Sequence, residues 1–324
     1  MNLLKFSVFT AVAAAILVPA VQPANAQQWP TRPVKFVVPF APGAGADIGA
    51  RLAADKLQKV WGQGVIVENR PGGDSLIAIR QIIGGNDDHQ LYFGPSGNFT
   101  PHPYRHEKLG YDRKTELLPI ARFSNTLLGV AIATSLNINN LKDFVAYARA
   151  NPGKMNAVVV PGITEFVWDG FAKTENVNIT KVPYKNLVQG ANEMGTGRIQ
   201  VSMASLAILQ PCMQGNICKL IAVTGRDRVS IYKDVPTATE AGLPSLALEG
   251  LVGVFGPKSM SLELRRRIGQ QIEAVARDPD IAGKLTATGQ AANPGGADEF
   301  TRDIEAQEAQ VAGIAKVLGL PRKN

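Results

Sequence analysis

The residues best suited to chemistry lie in one short segment, Pro39–Asp47, whose sequence is Pro-Phe-Ala-Pro-Gly-Ala-Gly-Ala-Asp. An apolar run, Val34–Val38, comes before it, and a helical spacing of apolar residues begins at Ile48. Glycines let a ligand approach the backbone closely, and the first N–H groups of a helix have no partner within the helix. The segment therefore predicts a strand, a turn and a helix capped by Asp47, with the turn forming a cradle for an anion or a carboxylate.

Two glycines of this segment also fit part of the fingerprint of dinucleotide-binding proteins. Gly43 and Gly45 open the predicted helix, and an acidic residue, Glu68, follows at about the 20-residue spacing at which such proteins bind a ribose. The third glycine of the fingerprint falls at Ile48, so the match is partial. An NAD(P)-binding oxidoreductase is therefore the alternative hypothesis, whereas the carboxylate cradle requires no cofactor.

The N-terminus predicts export. Residues 1–26 contain one basic residue, Lys5, then an apolar stretch at 6–18 that is too short to span a bilayer, and they end in the small-x-small sequence Ala24–Ala26. Neither a twin arginine nor a lipid-bearing cysteine accompanies them. We expect a Sec signal peptide cleaved after Ala26 and a freely diffusing exported protein. An exported oxidoreductase would be poorly supplied with NAD.

Composition argues for a globular protein with an anionic ligand. The 324 residues are 45% hydrophobic and 19% charged, which is enough for one large core or two smaller ones. The net charge is +7, and loss of Lys5 with the signal peptide leaves +6. This excess favours anionic ligands. Aromatic residues make up only 6% and the basic residues are scattered, so nucleic-acid binding is not predicted.

Two cysteines, Cys212 and Cys218, flank five residues that include a Gly-Asn turn. In an oxidising compartment this close pair predicts a disulfide. Free buried thiols and a metal or redox pair remain as alternatives, although the spacing is not that of a Cys-x-x-Cys motif.

Two of the three histidines have a spacing that a metal site could use. His102 and His106 would share one face of a helix, but Pro101 and Pro103 beside the first of them favour a loop. We therefore predict ordinary hydrogen-bonding histidines and no metal site.

Apolar strands alternate with helical segments along the chain. The strand candidates are residues 34–38, 65–67, 91–93, 129–133, 157–160, 179–182, 199–203, 220–223 and 251–255. Helical patterns include residues 141–150, 166–174, 187–194 and 298–317. This alternation predicts an α/β fold of parallel sheets with helices on both faces, in which ligands bind at the carboxyl ends of the strands.

The loops after three of these strands carry hydrogen-bonding residues. Ser96 and Gly97 follow the third strand, Thr164 follows the fifth, and Tyr184 and Lys185 follow the sixth. Ser96 lacks the second glycine of a nucleophile elbow. These residues therefore predict ligand binding, and no catalytic residue or enzyme activity is predicted.

Five segments together resemble one family of proteins. They are Trp29-Pro30-x-Arg32-Pro33, Pro39–Asp47, Val67-Glu68-Asn69-Arg70-Pro71-Gly72, Val182-Pro183-Tyr184-Lys185 and Asp234-Val235-Pro236-Thr237-x-x-Glu240-Ala241-Gly242. Their order, over nearly all of the mature chain, is similar to that of the Bug family, the periplasmic solute-binding proteins of tripartite tricarboxylate transporters.

The resemblance implies a two-lobed periplasmic-binding-protein fold of the type II-like, Venus flytrap kind, with a mixed, mainly parallel sheet in each lobe and crossing hinge strands. The first lobe would comprise residues 27–123 and 228–324, including packed C-terminal helices, and the second lobe residues 124–227. A monomer of this kind would hold a small carboxylated solute between its lobes and deliver it to membrane permease subunits. A ligand-sensing partner of a membrane signalling protein is a further alternative.

The chain departs from the family pattern at the site itself. Ala44 and Ala46 stand where the family usually has a glycine and a threonine, and Ala204 stands where an aspartate is common. Glu165 would bring a negative charge to the cleft, to repel a dicarboxylate or to bind an ammonium group. Aromatic carboxylates, aliphatic di- or tricarboxylates and amino acids all remain compatible with the loops.

The predicted ligand-binding set combines main-chain donors, hydroxyls and apolar walls from both lobes. Its members are Phe40, Ala41, Gly43, Ala44, Gly45, Ala46, Asp47, Ser96, Gly97, Thr164, Tyr184 and Lys185.

Overall fold

A computed structural model describes residues 29–184 and 186–323 of the chain. The predicted signal peptide, its cleavage site and Lys185 lie outside the described residues. The strands are β1 (Val34–Val38), β2 (Val65–Asn69), β3 (Gln90–Pro95), β4 (Leu117–Thr126), β5 (Leu128–Ala133), β6 (Met155–Val159), β7 (Ile179–Lys181), β8 (Val201–Ser205), β9 (Cys218–Val223), β10 (Leu251–Pro257) and β11 (Gln290–Gly296). The helices are α1 (Gly45–Trp61), α2 (Leu76–Gly85), α3 (His102–Arg105), α4 (Arg113–Glu116), α5 (Leu141–Ala150), α6 (Ile163–Thr174), α7 (Leu187–Asn192), α8 (Leu206–Gln214), α9 (Leu262–Ala276), α10 (Pro279–Ala287) and α11 (Ala297–Leu318).

The strands form two sheets. The first has the order β11-β4-β10-β3-β1-β2, and the second has the order β7-β6-β8-β5-β9. We call each sheet with the helices packed on it a lobe, the first lobe containing β1 and the second containing β5. The predicted two-lobed α/β fold is confirmed.

Both sheets are mixed, as predicted, but parallel pairs are not the majority in either. In the first sheet β1 is parallel to β2 and β3, but β10 is antiparallel to β3 and β4, and β11 is antiparallel to β4. In the second, β6 is parallel to β7 and β8, whereas β5 is antiparallel to β8 and β9. The reason is the path of the chain. Strand β4 leads the chain out of the first lobe and β10 brings it back, so these neighbouring strands run in opposite directions.

Two stretches of chain cross between the lobes side by side. Residue Leu127 alone joins β4 to β5, and the return path runs from β9 to β10. The amide of Thr126 donates to Gly250 O at 2.7 Å, and that of Thr224 donates to Leu128 O at 3.1 Å. These bonds tie the two crossings together, as the predicted hinge strands require. The predicted lobe boundaries stay a prediction.

Each sheet is covered on both faces by apolar residues. In β1, Phe36 and Val38 enter one core with α1, while Val37 enters the core on the opposite face. In β5, Val130 and Ala131 likewise enter different cores. Such alternation follows from the two-residue period of a strand. Because both faces of each sheet are buried, the polar loops lie at the ends of the strands.

The C-terminal helix α11 packs on both lobes. The sequence predicted that it packs on the first, and Phe300 and Ile304 are indeed buried in that lobe's core. Val311 and Ala315, however, are buried in the core of the second lobe. A helix of 22 residues is about 33 Å long, which is long enough to reach from one lobe to the other.

The predicted disulfide is confirmed. Cys212 near the end of α8 is bonded to Cys218 at the start of β9, and both residues are buried. Within residues 29–184 and 186–323, none of the helices has both the length and the apolar character needed to cross a bilayer.

Candidate ligand-binding cleft

The turn between β1 and α1 is built around a buried carboxylate. Gly43 has a positive φ of 88°, and α1 begins at Gly45 with Ala44 in the cap position. The predicted cap, Asp47, lies within the first helical turn instead, so that prediction is wrong in position. Its Oδ2 accepts a hydrogen bond from the Gly43 amide at 2.9 Å, which fixes the turn by reaching back from inside the helix.

Further donors neutralise the Asp47 carboxylate. Arg51 donates through Nε and Nη2, each at 3.0 Å, and Asn69 Nδ2 donates at 2.8 Å. Burial raises the pKa of Asp47, but the hydrogen bonds from Arg51, Gly43 and Asn69 outweigh burial and hold the pKa below its usual value. Asp47 therefore supports the turn and presents no uncompensated negative charge to a ligand.

The donors left for a ligand lie at the start of α1. The amide of Gly43 is used by Asp47, and that of Ala44 donates to Ala41 O at 3.3 Å. The first bond of the helical ladder runs from Ile48 N to Ala44 O. The N–H groups at positions 45, 46 and 47 therefore precede this ladder and carry the positive end of the helix dipole.

The rest of this turn forms an apolar flank. Phe40 is partly buried and packs against the core beneath α1, while its carbonyl accepts a hydrogen bond from Asn69 Nδ2 at 2.9 Å. Ala41 is exposed and Ala46 is buried. Behind the turn, Gln290 Nε2 donates to Gly45 O at 2.8 Å. The start of α1 is therefore held from both sides.

The second predicted loop, at Ser96 and Gly97, lies on the same side of the sheet as the first loop. Strands β3 and β1 are parallel neighbours, so their carboxyl ends lie side by side. Ser96 is fully buried, and its hydroxyl donates to Gln307 Oε1 at 2.7 Å. The Ser96 hydroxyl proton is therefore committed to Gln307, and the predicted contact of this loop with a ligand stays a prediction. Gly97 instead meets the second lobe: a methyl group added to it would overlap Cγ2 of Ile163.

The second lobe presents a matching helix start. Gly162 has a positive φ of 100° and precedes α6, whose first ladder bond runs from Phe166 N to Gly162 O. Thr164 is buried in this first turn, so its amide belongs to the unpaired set. Glu165, which the sequence placed as a free charge in the cleft, is paired with Lys181 at 2.8 Å.

Tyr184 follows β7 and is partly buried. Its ring packs closely over Gly190 of α7 and against the core on that face of the second lobe. Tyr184 can therefore form an apolar wall, while the predicted contact of Lys185 lies outside the described residues.

A separate cavity of about 740 Å³ lies beside the hinge, and it is lined by none of the predicted ligand residues that the structure describes. Several of its charged side chains already have partners: Arg122 donates to Glu299 Oε1 at 2.7 Å, and Glu249 accepts bonds from Asn125 Nδ2 and from the Arg226 amide. The start of α1 offers donors without such partners. We therefore take the two helix starts, where main-chain N–H groups precede the helical ladders, and not this cavity, as the candidate site.

The acidic residue of the dinucleotide alternative is fully engaged. Glu68 accepts hydrogen bonds from Arg70 Nε at 2.6 Å and Gln81 Nε2 at 3.1 Å, and it pairs with Lys35 at 3.2 Å. The Gln81 hydrogen bond, with those from Arg70 and Lys35, lowers its pKa from 4.5 to about 2 although burial opposes this. The Glu68 carboxylate is thus occupied by these neighbouring side chains, which argues against its binding a ribose.

His102 is the first residue of the short helix α3 and His106 is the residue that ends it, so the loop predicted around His102 is wrong. Pro101 is in the cap position of α3 and Pro103 is in its first turn. Proline is tolerated there because the first amides of a helix need no partner within it. His102 is fully buried, and burial lowers its pKa to about 4.

Comparison with known proteins decides the family. Residues 49–320 match the profile of the tripartite tricarboxylate transporter family receptor. The chain belongs to this family.

Relatives within the receptor family are distant but match over most of their length. A UPF0065 protein of Bordetella pertussis is 25% identical over 319 residues, 97% of this chain and 98% of that protein. The structure of Rpa4515 of R. palustris with adipate is 25% identical, with a TM-score of 0.75 over 90% of this chain and 99% of that one. The periplasmic binding protein BugD, at 23% identity and a TM-score of 0.74 over 90% and 99% of the chains, has the same fold.

Several supporting residues of this family member escaped the sequence analysis. Gln290 and Gln307 reach the site from far along the chain, and neither lies in a recognisable motif. Arg51 could have been found, because it stands four residues after Asp47 on the same helix face. Asn69 follows Glu68 in the segment that carries the family resemblance, but its role in the turn depends on contact with Asp47.

Proposed function

We propose that this protein is a periplasmic solute-binding protein that captures a small carboxylated solute between its two lobes. The observation that carries the proposal is the pair of helix starts, α1 and α6, each preceded by a glycine with positive φ and each in a different lobe. The family membership supports it. So does the adipate bound to the relative Rpa4515, since adipate is a dicarboxylate.

The energetics require both helix starts. One anion at a helix N-terminus gains about 0.3–1 kcal/mol, or about 2 kcal/mol in a sheltered site. Micromolar affinity needs about 8 kcal/mol. The solute must therefore combine several amide bonds with apolar contact from both lobes. A solute that contacts both lobes binds the closed form better and shifts the protein towards it.

We assign roles within the predicted set as follows. The amides of Gly45, Ala46 and Thr164 are the direct donors, and Phe40 and Tyr184 form the apolar walls. Lys185 is proposed to add a positive charge. The remaining members hold the turns in shape or close the cleft: they are Ala41, Gly43, Ala44, Asp47, Ser96 and Gly97.

The pairing of Glu165 with Lys181 bears on the class of solute. With that carboxylate compensated, and Asp47 likewise compensated by Arg51, neither carboxylate repels an anion strongly. The site is therefore proposed to favour a dicarboxylate over an amino acid, whose ammonium group would need a free carboxylate.

The biological setting completes the proposal. Export by the predicted Sec signal peptide would place the mature protein in the periplasm, where it would act as a monomer. It would release the solute to the permease subunits of a tripartite tricarboxylate transporter, without chemical conversion and without a cofactor.

The test is a thermal-shift screen of the mature protein, residues 27–324, against aliphatic dicarboxylates beginning with adipate, tricarboxylates, aromatic carboxylates and amino acids. A true solute at 100 times its Kd stabilises the fold by about 2.7 kcal/mol. Calorimetry on the best compound then gives its Kd, and chromatography checks that it is recovered unchanged. Conversion of the compound would refute the proposal.

Thr164→Val tests the second lobe's part. We expect it to lower affinity about threefold to tenfold, since it removes a buried hydroxyl beside the donor amide. Thr174→Val, at the exposed end of the same helix, is the matched control. Equal affinity in both variants and the wild type would show that the Thr164 hydroxyl takes no part in binding.

A further inference from the structure

Three metal-ligating side chains converge on the first lobe, outside the proposed solute site. Asp74 comes from the turn before α2, and His102 and His106 come from α3 and the residue that ends it. His106 Nε2 lies 3.0 Å from Asp74 Oδ2, and His102 Nε2 lies 3.6 Å from the same oxygen. One ligand atom from each of the three lies within 4.8 Å of the others.

The two separations from Asp74 fit a tetrahedral zinc ion. Zinc bonds to imidazole nitrogen at about 2.0–2.1 Å and to carboxylate oxygen at about 2.0–2.2 Å, so neighbouring ligand atoms of a tetrahedron are about 3.4 Å apart. The two separations from the Asp74 oxygen bracket this value. Two imidazoles and one carboxylate also form a ligand set that zinc commonly takes.

We propose that Asp74, His102 and His106 bind a divalent zinc ion, with the fourth position open to water. The ion would join the turn before α2 to α3. The inference does not depend on the proposed solute, because the two sites share no residue.

The surroundings of His102 can support such a ligand. Its Nε2 lies 3.0 Å from Asp74 O and its Nδ1 lies 3.0 Å from the hydroxyl of Tyr111. A carbonyl oxygen only accepts, so without metal the proton is on Nε2 and the Tyr111 hydroxyl donates to Nδ1. When zinc binds Nε2, the ring proton is on Nδ1 instead, and Nδ1 donates it to the Tyr111 oxygen. A tyrosine hydroxyl can donate or accept a hydrogen bond, so Tyr111 suits both states.

The turn that carries Asp74 is held in place by hydrogen bonds. The Ser75 amide donates to Gly72 O at 3.1 Å, and Asn98 Nδ2 donates to Ser75 Oγ at 2.7 Å. Arg105 Nη1 lies 3.6 Å from Asp74 Oδ2 and competes with a cation for that carboxylate. We therefore expect micromolar affinity and not the tighter binding of a site without a competing guanidinium.

A second cluster, Asp87, Asp88 and His89, provides a matched comparison. It has one imidazole, whose Nε2 accepts from the Thr31 amide at 3.0 Å, and Asp87 is bonded to Arg32 and to the His89 amide. Its ligand atoms are committed to local structure, so we expect no zinc there.

The experiment is calorimetric titration of the untagged mature protein, stripped with chelator, with zinc chloride and separately with magnesium chloride. We expect saturable zinc binding at one ion per chain and none for magnesium. Visible absorption of the cobalt-substituted protein should report tetrahedral coordination. Absence of saturable zinc binding would overturn the proposal.

Variants locate the ion. His106→Asn and Asp74→Asn should each weaken zinc binding at least tenfold, Tyr111→Phe should weaken it about tenfold through His102, and His89→Asn should leave it unchanged. His106 is 29% exposed, so its variant should fold, whereas a variant of fully buried His102 would test folding instead. Zinc affinity that is unchanged in His106→Asn, or lost in His89→Asn, would refute this assignment.

Discussion

Gly97 of the first lobe lies directly against Ile163, the first residue of α6 in the second lobe. The approach leaves no space for a methyl group on Gly97, and its φ lies outside the left-handed region, so packing rather than backbone conformation accounts for glycine here. A ring contact between Tyr104 and Phe166, with centroids 6.2 Å apart, continues the same junction. The lobes therefore meet through apolar surface beside the two helix starts.

The first prediction concerns this junction. Gly97→Ala should hold the lobes apart, because overpacking costs about 1–3 kcal/mol and would be paid only in the closed form. We expect about a tenfold loss of solute affinity and a larger radius of gyration in solution scattering. Gly283→Ala, on α10 where a Cβ has no neighbour within 4 Å, is the control. A closed, full-affinity Gly97→Ala protein would contradict the role of this contact.

The second prediction concerns the buried carboxylate of the glycine turn. Asp47→Ala removes the acceptor for Gly43, Arg51 and Asn69, and hydrogen bonds to a charged group are worth about 1.5–3 kcal/mol each. We expect the free energy of unfolding to fall by about 2–3 kcal/mol in denaturant titration, with weaker solute binding. Asp55→Ala, exposed on the same helix, should change stability by less than about 0.5 kcal/mol.

The third prediction concerns Gln307, which joins α11 to the cleft and the hinge. Its Oε1 accepts from Ser96 Oγ, and its Nε2 donates to Glu249 O at 3.1 Å. Gln307→Leu would leave the buried Ser96 hydroxyl unpaired, so we expect a loss of about 2–3 kcal/mol in the free energy of unfolding. Glu305→Leu, exposed on the same helix, serves as control. Equal stability of the two variants would show that this bridge contributes nothing.

The fourth prediction concerns acid stability. The folded pKa of Glu68, about 2, is below the ordinary value of 4.5, so the unfolded chain binds the proton more readily. The stabilisation is complete above pH 4.5 and is lost as the pH falls towards 2. Lys35 and Arg70 are exposed, so solvent screens their interaction with Glu68. We therefore expect the Glu68 carboxylate to contribute about 1 kcal/mol to the free energy of unfolding.

Denaturant titrations of the wild type and Glu68→Gln between pH 7 and pH 2 would check this. The difference in unfolding free energy between them should shrink as the pH falls. Glu305→Gln should run parallel to the wild type throughout. A constant difference for Glu68→Gln would mean that its ionisation does not contribute.

The fifth prediction concerns the disulfide. A bond between Cys212 and Cys218 closes a loop of about seven residues, for which chain entropy gives about 2 kcal/mol. The double variant Cys212→Ala/Cys218→Ala should lose about this amount in the free energy of unfolding. Reductant should destabilise the wild type and leave the double variant unaffected, and any response of the double variant would indicate another cause.

Much of the fold follows from local patterns. Each of the nine predicted strands is present, with bounds that differ by two residues at most, and helix α5 has the predicted bounds. Apolar periodicity is a property of neighbouring residues, so it can be read without knowledge of the fold. The strands that were missed, β4 and β11, contain Pro119, Arg122 and Pro294, which interrupt the apolar signal.

The candidate site likewise has parts that the local sequence determines and parts that only tertiary contacts determine. The turn at Pro39–Asp47, the start of α6 and the disulfide are encoded in short stretches of chain, because glycines, helix starts and a close cysteine pair act locally. The use of the Ser96 hydroxyl by Gln307, 211 residues away, depends on which helix covers the sheet edge. The convergence of Asp74 with His102 and His106 likewise required the folded chain, since contacts between distant segments leave no mark on local spacing.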